Sequence, residues 1–336
     1  MNHRTNIYVC PETRLPLKCE AEQTAVDDIS IGKLVNPAGQ EYPIQDGIAD
    51  LTFPRSLAGA EKEILDYYES VASIYDDVAH LSFCIQHVDE HEARREFVQL
   101  LNLTSNSRVL ELACGTGRDS EIIAGQLGSE AEFYLQDLSR SMLLRCKSKL
   151  ADSSVPMEFS VGNAAYLPFP DNYFDAVFSF GGLGVFGDVE RSLKEIARVA
   201  KVGARVVVGD ESMAPWLYNT EYGRILLNNN SLFKQPVPLA LLPVEARSVT
   251  VRWVVGGAYY IIDFTVGEGE LQADFDLEIP GQRGGTLRTR YYGRLEGVTP
   301  ETYKLAKEAR SKSGKSMHRW LDDVVREASI KELDKS

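Results

Sequence analysis

Apolar and polar positions along the chain change texture three times. The central stretch has short apolar runs of strand length, separated by small-residue turns and helix-periodic segments. Val109-Leu-Glu-Leu-Ala-Cys-Gly-Thr-Gly-Arg-Asp119 is an apolar run ending in an acid and then a small-residue loop. Ser120 to Leu127 is helix-compatible, so the order is strand, tight turn, helix N-terminus. Further strands are predicted at Phe133–Asp137, Met157–Val161, Ala176–Phe180 and Ala204–Val208, with a helix at Val189–Ala200 before the last. Ser248–Val255 and Ala258–Val266 alternate as a hairpin about Gly256-Gly257. This alternation of strands and helices predicts an α/β sheet.

The flanks have other textures. Residues 61–104 carry Ile64, Tyr67, Tyr68, Val71 and Tyr75 at helical spacings. In the first ~54 residues, Tyr8–Leu17, Gly32–Gly39 and Glu41–Leu51 suggest short strands and turns. At the other end, Arg288–Leu295 alternates like an edge strand, and helices follow at Pro300–Ser313 and Ser316–Ser329, with Ser316 as N-cap. Three segments result: 1–54, a small β-rich module; 55–270, the α/β domain with a helical lid; and 271–336, a strand-helix-helix tail.

Candidate chemistry concentrates in the turns after the strands. Gly115 and Gly117 permit close backbone approach, and Glu111 could accept a hydrogen bond from an amine-bearing or cationic ligand. Asp137 follows Gly117 by 20 residues, about the spacing at which an acid meets ribose hydroxyls. Together with Gly162-Asn-Ala-Ala-Tyr-Leu-Pro-Phe-Pro-Asp-Asn-Tyr-Phe-Asp175 and Glu195-Ile-Ala-Arg-Val-Ala-Lys-Val-Gly203, these segments make residues 109–210 resemble the core of class I S-adenosylmethionine-dependent methyltransferases. The resemblance is strongest to the ubiquinone/menaquinone C-methyltransferase-like branch. Ala113 and Val202 depart from the family pattern, where glycine and proline are common.

The resemblance implies a Rossmann-like seven-stranded sheet and S-adenosyl-L-methionine as cofactor. It implies that Ala113, Gly115 and Gly117 line the methionine portion and that Asp137 holds the ribose. Asn163, with Ala164 behind it, would bond the adenine amino edge; Leu138 and Met142 would pack on the adenine faces or serve simply as core. Phe180 and Gly181 would border the methyl-transfer site. Tyr68 and Tyr75 either cap the sulfonium or pack their helix onto the sheet. Tyr75, His87 and His91 are the candidates for a catalytic role, the two histidines sharing a helix face at i, i+4 as a metal pair or acid–base site. No third ligand stands at a metal-site spacing, and no metal is expected.

Composition narrows the partners. A net charge of −13 argues against binding dominated by nucleic-acid phosphates. No run approaches the ~18 apolar residues of a membrane-spanning helix, and Met1-Asn-His-Arg-Thr-Asn6 lacks a signal-like apolar core. Five scattered cysteines suggest reduced thiols, and a cytoplasmic location is expected. The N-terminal module is similar to zinc-ribbon-like modules beside tRNA and protein methyltransferases and their activating subunits, which share its Tyr42-Pro-Ile-x-Asp-Gly-Ile48 phrase. Cys10 and Cys19 alone cannot supply four thiolates, so the module is expected to fold without zinc.

The tail is similar to ribbon-helix-helix modules. It carries ten Arg or Lys against three Glu from Arg283 to Arg319. A dimerisation arm is the favoured expectation, giving a homodimer, with DNA contact the weaker one. The chain is therefore expected to methylate a small metabolite, aromatic or isoprenoid-like. RNA or protein methylation and an S-adenosylmethionine-sensing DNA-binding regulator are the alternatives. A dinucleotide-dependent dehydrogenase is remote, because Ser120 stands at the third fingerprint glycine.

Overall fold

The computed structural model describes residues 7–25, 28–280, 285–292 and 298–334. They form two compact units, Met1–Glu270 and Leu271–Ser336.

The first unit is organised by one sheet of eleven strands. In chain order these are β1 (Lys18–Ala25), β2 (Asp28–Val35), β3 (Glu41–Gln45), β4 (Ile48–Asp50), β5 (Arg108–Leu112), β6 (Glu132–Asp137), β7 (Met157–Val161), β8 (Phe174–Phe180), β9 (Ala200–Glu211), β10 (Ala246–Val254) and β11 (Tyr259–Val266). The spatial order is β1-β2-β3-β4-β7-β6-β5-β8-β9-β11-β10. From β7 to β9 all neighbours run parallel, and β11 returns antiparallel between β9 and β10. This is an α/β sheet covered by helices, and its seven central and C-terminal strands match the expected sheet. Strands β5 to β9 have near-continuous buried runs, as expected when helices cover both faces.

Helices α1 (Gly59–Val71), α2 (Tyr75–Ala79), α3 (Leu81–Ile85) and α4 (Glu90–Gln99) precede β5; α5 (Arg118–Ala124), α6 (Arg140–Lys149) and α7 (Val189–Val199) connect the parallel strands; α8 (Glu221–Asn229) follows β9. Short polar side chains start several of them. Asp89, Ser139 and Asp188 each accept a backbone N–H two or three positions into their helices. Helix α1 buries none of its residues, so its attachment to the sheet depends on specific polar contacts.

The expected separation of residues 1–54 is corrected. Strands β1 to β4 continue the central sheet, because β4 pairs in parallel with β7 at Ala49–Ser160 and Asp50–Val161, and Leu51 N–H donates to Val161 O at 2.8 Å. Tyr8, Cys10, Tyr42 and Ile44 share one core with Tyr134 and Phe169 of the parallel region. Covering the β7 edge satisfies backbone groups that would otherwise be exposed. Local assignments also change: Tyr8–Leu17 is a loop with a single bridge, Val9–Pro16, whereas Lys18–Ala25, not anticipated, is a strand.

The second unit contains α9 (Leu287–Tyr292), α10 (Pro300–Ser313) and α11 (Met317–Leu333). Ser316 caps α11 by accepting from Arg319 N–H, as expected. The edge strand expected over Arg288–Leu295 is corrected, since Leu287–Tyr292 is helical and the rest of that span lies outside the described residues. Arg288 pairs with Asp276, an exposed contact compatible with the helix. No described helix is long and apolar enough to cross a membrane.

Candidate active site

The main pocket opens at the C-terminal ends of β5, β6, β7 and β8, where parallel α/β sheets place their ligands. Its first wall is the loop after β5. Ala113 (φ 52°) and Gly115 (φ 54°) both turn through the left-handed region. Ala113 does so with a Cβ, at a small conformational cost; its neighbour across the loop is Gly182, where an added Cβ would come within 2.4 Å of the Ala113 methyl. A Cβ built on Gly115 or Gly181 meets nothing within 4 Å, so both glycines leave a cradle open to the pocket.

The second wall is the end of β6. Asp137 Oδ2 accepts the Gly115 N–H at 2.8 Å and Oδ1 accepts the Ser139 N–H at 2.8 Å. Burial pushes this carboxyl up to about 6, and the backbone N–H groups of Ser139, Gly115 and Leu138 partly offset it. With three backbone donors on about four acceptor sites, the carboxylate retains a lone pair for a further donor. Leu138 and Met142 flank the acid in the same wall.

The third wall follows β7. Asn163 Oδ1 accepts the Ala165 N–H at 3.0 Å, and Asn163 Nδ2 donates to Glu61 Oε1 at 3.0 Å. Glu61 belongs to α1, the helix without buried residues. Two more acids tie this lid to the sheet. Glu69 accepts from Ser139 Oγ at 2.8 Å and from Ser141 N–H at 3.1 Å; Asp76 accepts from Thr116 Oγ1 at 2.6 Å and from Arg118 at 3.1 Å. Burial alone would raise both acids, but these donors, with Lys149 beside Asp76, hold each below the usual carboxylate range. Three carboxylates thus clasp the loops after β5, β6 and β7.

The remaining side of the pocket is aromatic. Tyr68 and Tyr75 face each other at 6.2 Å between ring centroids, with Phe180 and Phe186 also in the wall. Burial raises both phenols, Tyr75 to about 12. Arg94 lies 5.2 Å over Phe83 and 5.3 Å over Phe180 and pairs with Asp119 and Glu90. Where β9 ends, Asp210 accepts the Gly184 N–H, while burial and the adjoining Asp210 push the neighbouring Glu211 up to about 9. Among the described residues neither acid has a salt-bridge partner within 4.0 Å.

Eight expected residues come together here: Ala113, Gly115, Asp137, Leu138, Met142, Asn163, Ala164 and Phe180 all line the pocket. Two are corrected. Glu111 is 2% exposed and accepts Ser120 Oγ at 2.6 Å beneath the loop, outside the pocket wall. Gly117 starts α5 at φ 86°, and a Cβ there would strike Cys146 Sγ at 2.8 Å, so it makes room for α6 and does not face the pocket. Tyr75 lines the pocket, but His87 and His91 are exposed and do not. His87 sits at φ 54° in the turn before α4, so the two histidines do not share one helix. No cluster of three His, Cys, Asp or Glu suited to a metal occurs among the described residues.

Sequence reasoning missed Glu61, Arg94, Thr116 and Arg118, which line the pocket. Glu61 and Arg94 reach the site from helices where an acid or arginine reads as surface charge. The Thr116 hydroxyl was visible within the loop, but its Asp76 partner lies 40 residues away.

Residues 109–203 match the family described as "Methyltransferase domain". The chain is 34% identical over 157 residues to the ubiquinone/menaquinone biosynthesis C-methyltransferase UbiE of Chromobacterium violaceum, covering 46% of this chain and 63% of that one. It is 33% identical over 169 residues to the UbiE of Pectobacterium carotovorum subsp. carotovorum, covering 49% and 65%. The chain therefore spans less than two thirds of the length of these curated relatives. Among solved structures it is similar to a SAM-dependent methyltransferase from Aquifex aeolicus, at 18% identity over 59% of this chain and 98% of that one, with a TM-score of 0.43. It is also similar to Haemonchus contortus phosphoethanolamine N-methyltransferase 2 in complex with S-adenosyl-L-methionine, at 11% identity over 68% and 63%, with a TM-score of 0.48. The segment that matches the methyltransferase domain runs from β5 to β9 and supplies the three pocket loops.

Proposed function

We propose that the protein transfers a methyl group from S-adenosyl-L-methionine to a small aromatic or isoprenoid-like metabolite. The observation that carries this reading is Asp137, fixed by Gly115 and Ser139 beside the glycine-lined cradle. Its free lone pair suits a ribose hydroxyl, the cradle suits the amino-acid head, and Leu138 and Met142 suit adenine faces. Bound there, S-adenosyl-L-methionine supplies an electrophilic methyl on sulfur. Tyr68 and Tyr75 would present aromatic rings to that cation, while α1 and α2 exclude water and hold the reactants in line.

The aromatic and aliphatic wall of Phe180, Val185, Phe186 and Ile64 favours an apolar acceptor. The likeness to UbiE over part of each chain is consistent with a quinol-type ring, and a cytoplasmic location fits such a reaction. The direct test is transfer of labelled methyl from S-adenosyl-L-methionine to prenylated hydroquinones, beside an extract of small metabolites. Absence of label in every acceptor, together with no binding of S-adenosyl-L-homocysteine, would reject the proposal.

The second unit is proposed to mediate homodimerisation. Its support is the exposed apolar set on α10 and α11: Leu305, Val324, Val325, Ile330 and Leu333. Over Leu287–Tyr292 the chain is helical, which does not favour the DNA-reading strand of the regulator alternative.

A further inference from the structure

The side chain expected to receive the adenine amino group is already partly engaged. Asn163 Oδ1, its sole side-chain acceptor, takes the Ala165 N–H at 3.0 Å and keeps one further lone pair, a weaker acceptor than a carboxylate oxygen beside it. Its amide nitrogen is a donor, as is the exocyclic amine of adenine, and two donors do not bond each other. That amide nitrogen instead points to Glu61 Oε1 at 3.0 Å. Glu61 lines the pocket beside Asn163 and Ala164, and among the described residues its Oε2 accepts no hydrogen bond.

We propose that Glu61, a lid residue oriented by Asn163, is the acceptor for the 6-amino group of the cofactor's adenine. The proposal rests on the cofactor reading above and extends it to a residue outside the methyltransferase domain match, which begins at residue 109. Space for the carboxylate is built in: a Cβ on Gly187 would lie 2.2 Å from Glu61 Oε1, so the loop after β8 leaves the acid room. Because Glu61 rides on α1, recognition of the base and closure of the lid become one event. A ligand with an amine at this position strengthens the Glu61 contact, whereas a 6-oxo purine sets an oxygen against the carboxylate.

The test compares binding of S-adenosyl-L-homocysteine and S-inosyl-L-homocysteine by calorimetry, using the full chain. The unmodified protein should favour the adenosyl ligand by at least about tenfold, since an unmatched polar contact in a built site is strongly discriminating. Glu61→Gln, which can turn an N–H toward a 6-oxo group, should shrink the preference to about threefold or less. Asp137→Ala should weaken both ligands to the same extent and keep the preference. Unchanged discrimination in a folded Glu61→Gln protein overturns the Glu61 assignment and leaves the cofactor reading standing. If the unmodified protein binds neither nucleoside, the cofactor reading fails and takes this assignment with it.

Discussion

Gly115 and Asp137, 22 residues apart in sequence, are joined by a 2.8 Å hydrogen bond from the glycine N–H to the aspartate Oδ2. This bond sets the loop after β5 against the acid that ends β6, so one wall of the pocket positions the other. Removing the carboxylate deletes both the proposed ribose acceptor and the brace on the loop. Asp137→Ala should therefore weaken S-adenosyl-L-homocysteine binding by roughly 1–3 kcal/mol. Calorimetry on a folded variant with unchanged affinity would remove Asp137 from the ribose site.

The same acid predicts a pH dependence. Its ionised form accepts hydroxyl hydrogens, and burial places its titration near 6. Cofactor affinity should hold above that value and fall as the pH is lowered through it. At pH 5 about one carboxylate in ten stays ionised, so affinity should drop roughly tenfold relative to pH 7.5. In Asp137→Asn this acid-side loss should vanish; a loss of equal size there would mean another group is titrating.

The legible parts of this molecule were those with a local signature. The strand-loop-helix unit at Val109–Asp119, the acid after β6, and the helix from Pro300 to Ser313 could be placed because periodicity and turn residues act over a few positions. The lid contacts could not. Glu61 meets Asn163 across 102 residues and Asp76 meets Thr116 across 40, and no sequence spacing encodes such pairs. Glu111 was misplaced because an acid at a strand's end looks alike whether it faces the pocket or the buried Ser120 hydroxyl. The fusion of the first four strands to β7 was hidden too, since sheet-edge pairing depends on which edge remains free.

Glu211 should lower stability at alkaline pH. Its folded value stands near 9 against an ordinary value of 4.5, so between these limits the unfolded chain has released a proton that the folded chain retains. Stability attributable to this group therefore declines as pH rises through that window. Glu211→Gln keeps the shape without the proton. It should raise stability at pH 8 by more than about 1 kcal/mol and change it little at pH 5. Denaturant melts at the two pH values give the comparison, and a destabilised variant at pH 8 would contradict the assignment.

Deleting residues 1–54 should not leave an intact remainder. It would strip four strands from β7 and expose its backbone edge, together with the core face that Tyr8, Tyr42 and Ile44 cover. The shortened chain should aggregate or melt far below the full-length protein. A monodisperse fragment with an unchanged melting temperature would show that the strands decorate the sheet without supporting it. Cys10, bonded to the Tyr42 hydroxyl at 3.1 Å, is expected to act in this core without zinc, and elemental analysis of the purified protein checks that directly.

Truncation after Glu270 tests the opposite end and separates folding from association. The cut falls at the boundary between the two compact units, so residues 1–270 should retain their melting transition and bind S-adenosyl-L-homocysteine with affinity within about twofold of the full chain. If α10 and α11 pair with their counterparts in a second subunit, light scattering should give twice the chain mass for the full protein and a single chain mass after truncation. Val325→Glu, a charge on an exposed apolar position of α11, should have the same effect without shortening the chain. A full-length protein that stays monomeric at micromolar concentration would exclude the dimerisation role, since a closed two-fold contact strong enough to bury these faces should persist at that dilution.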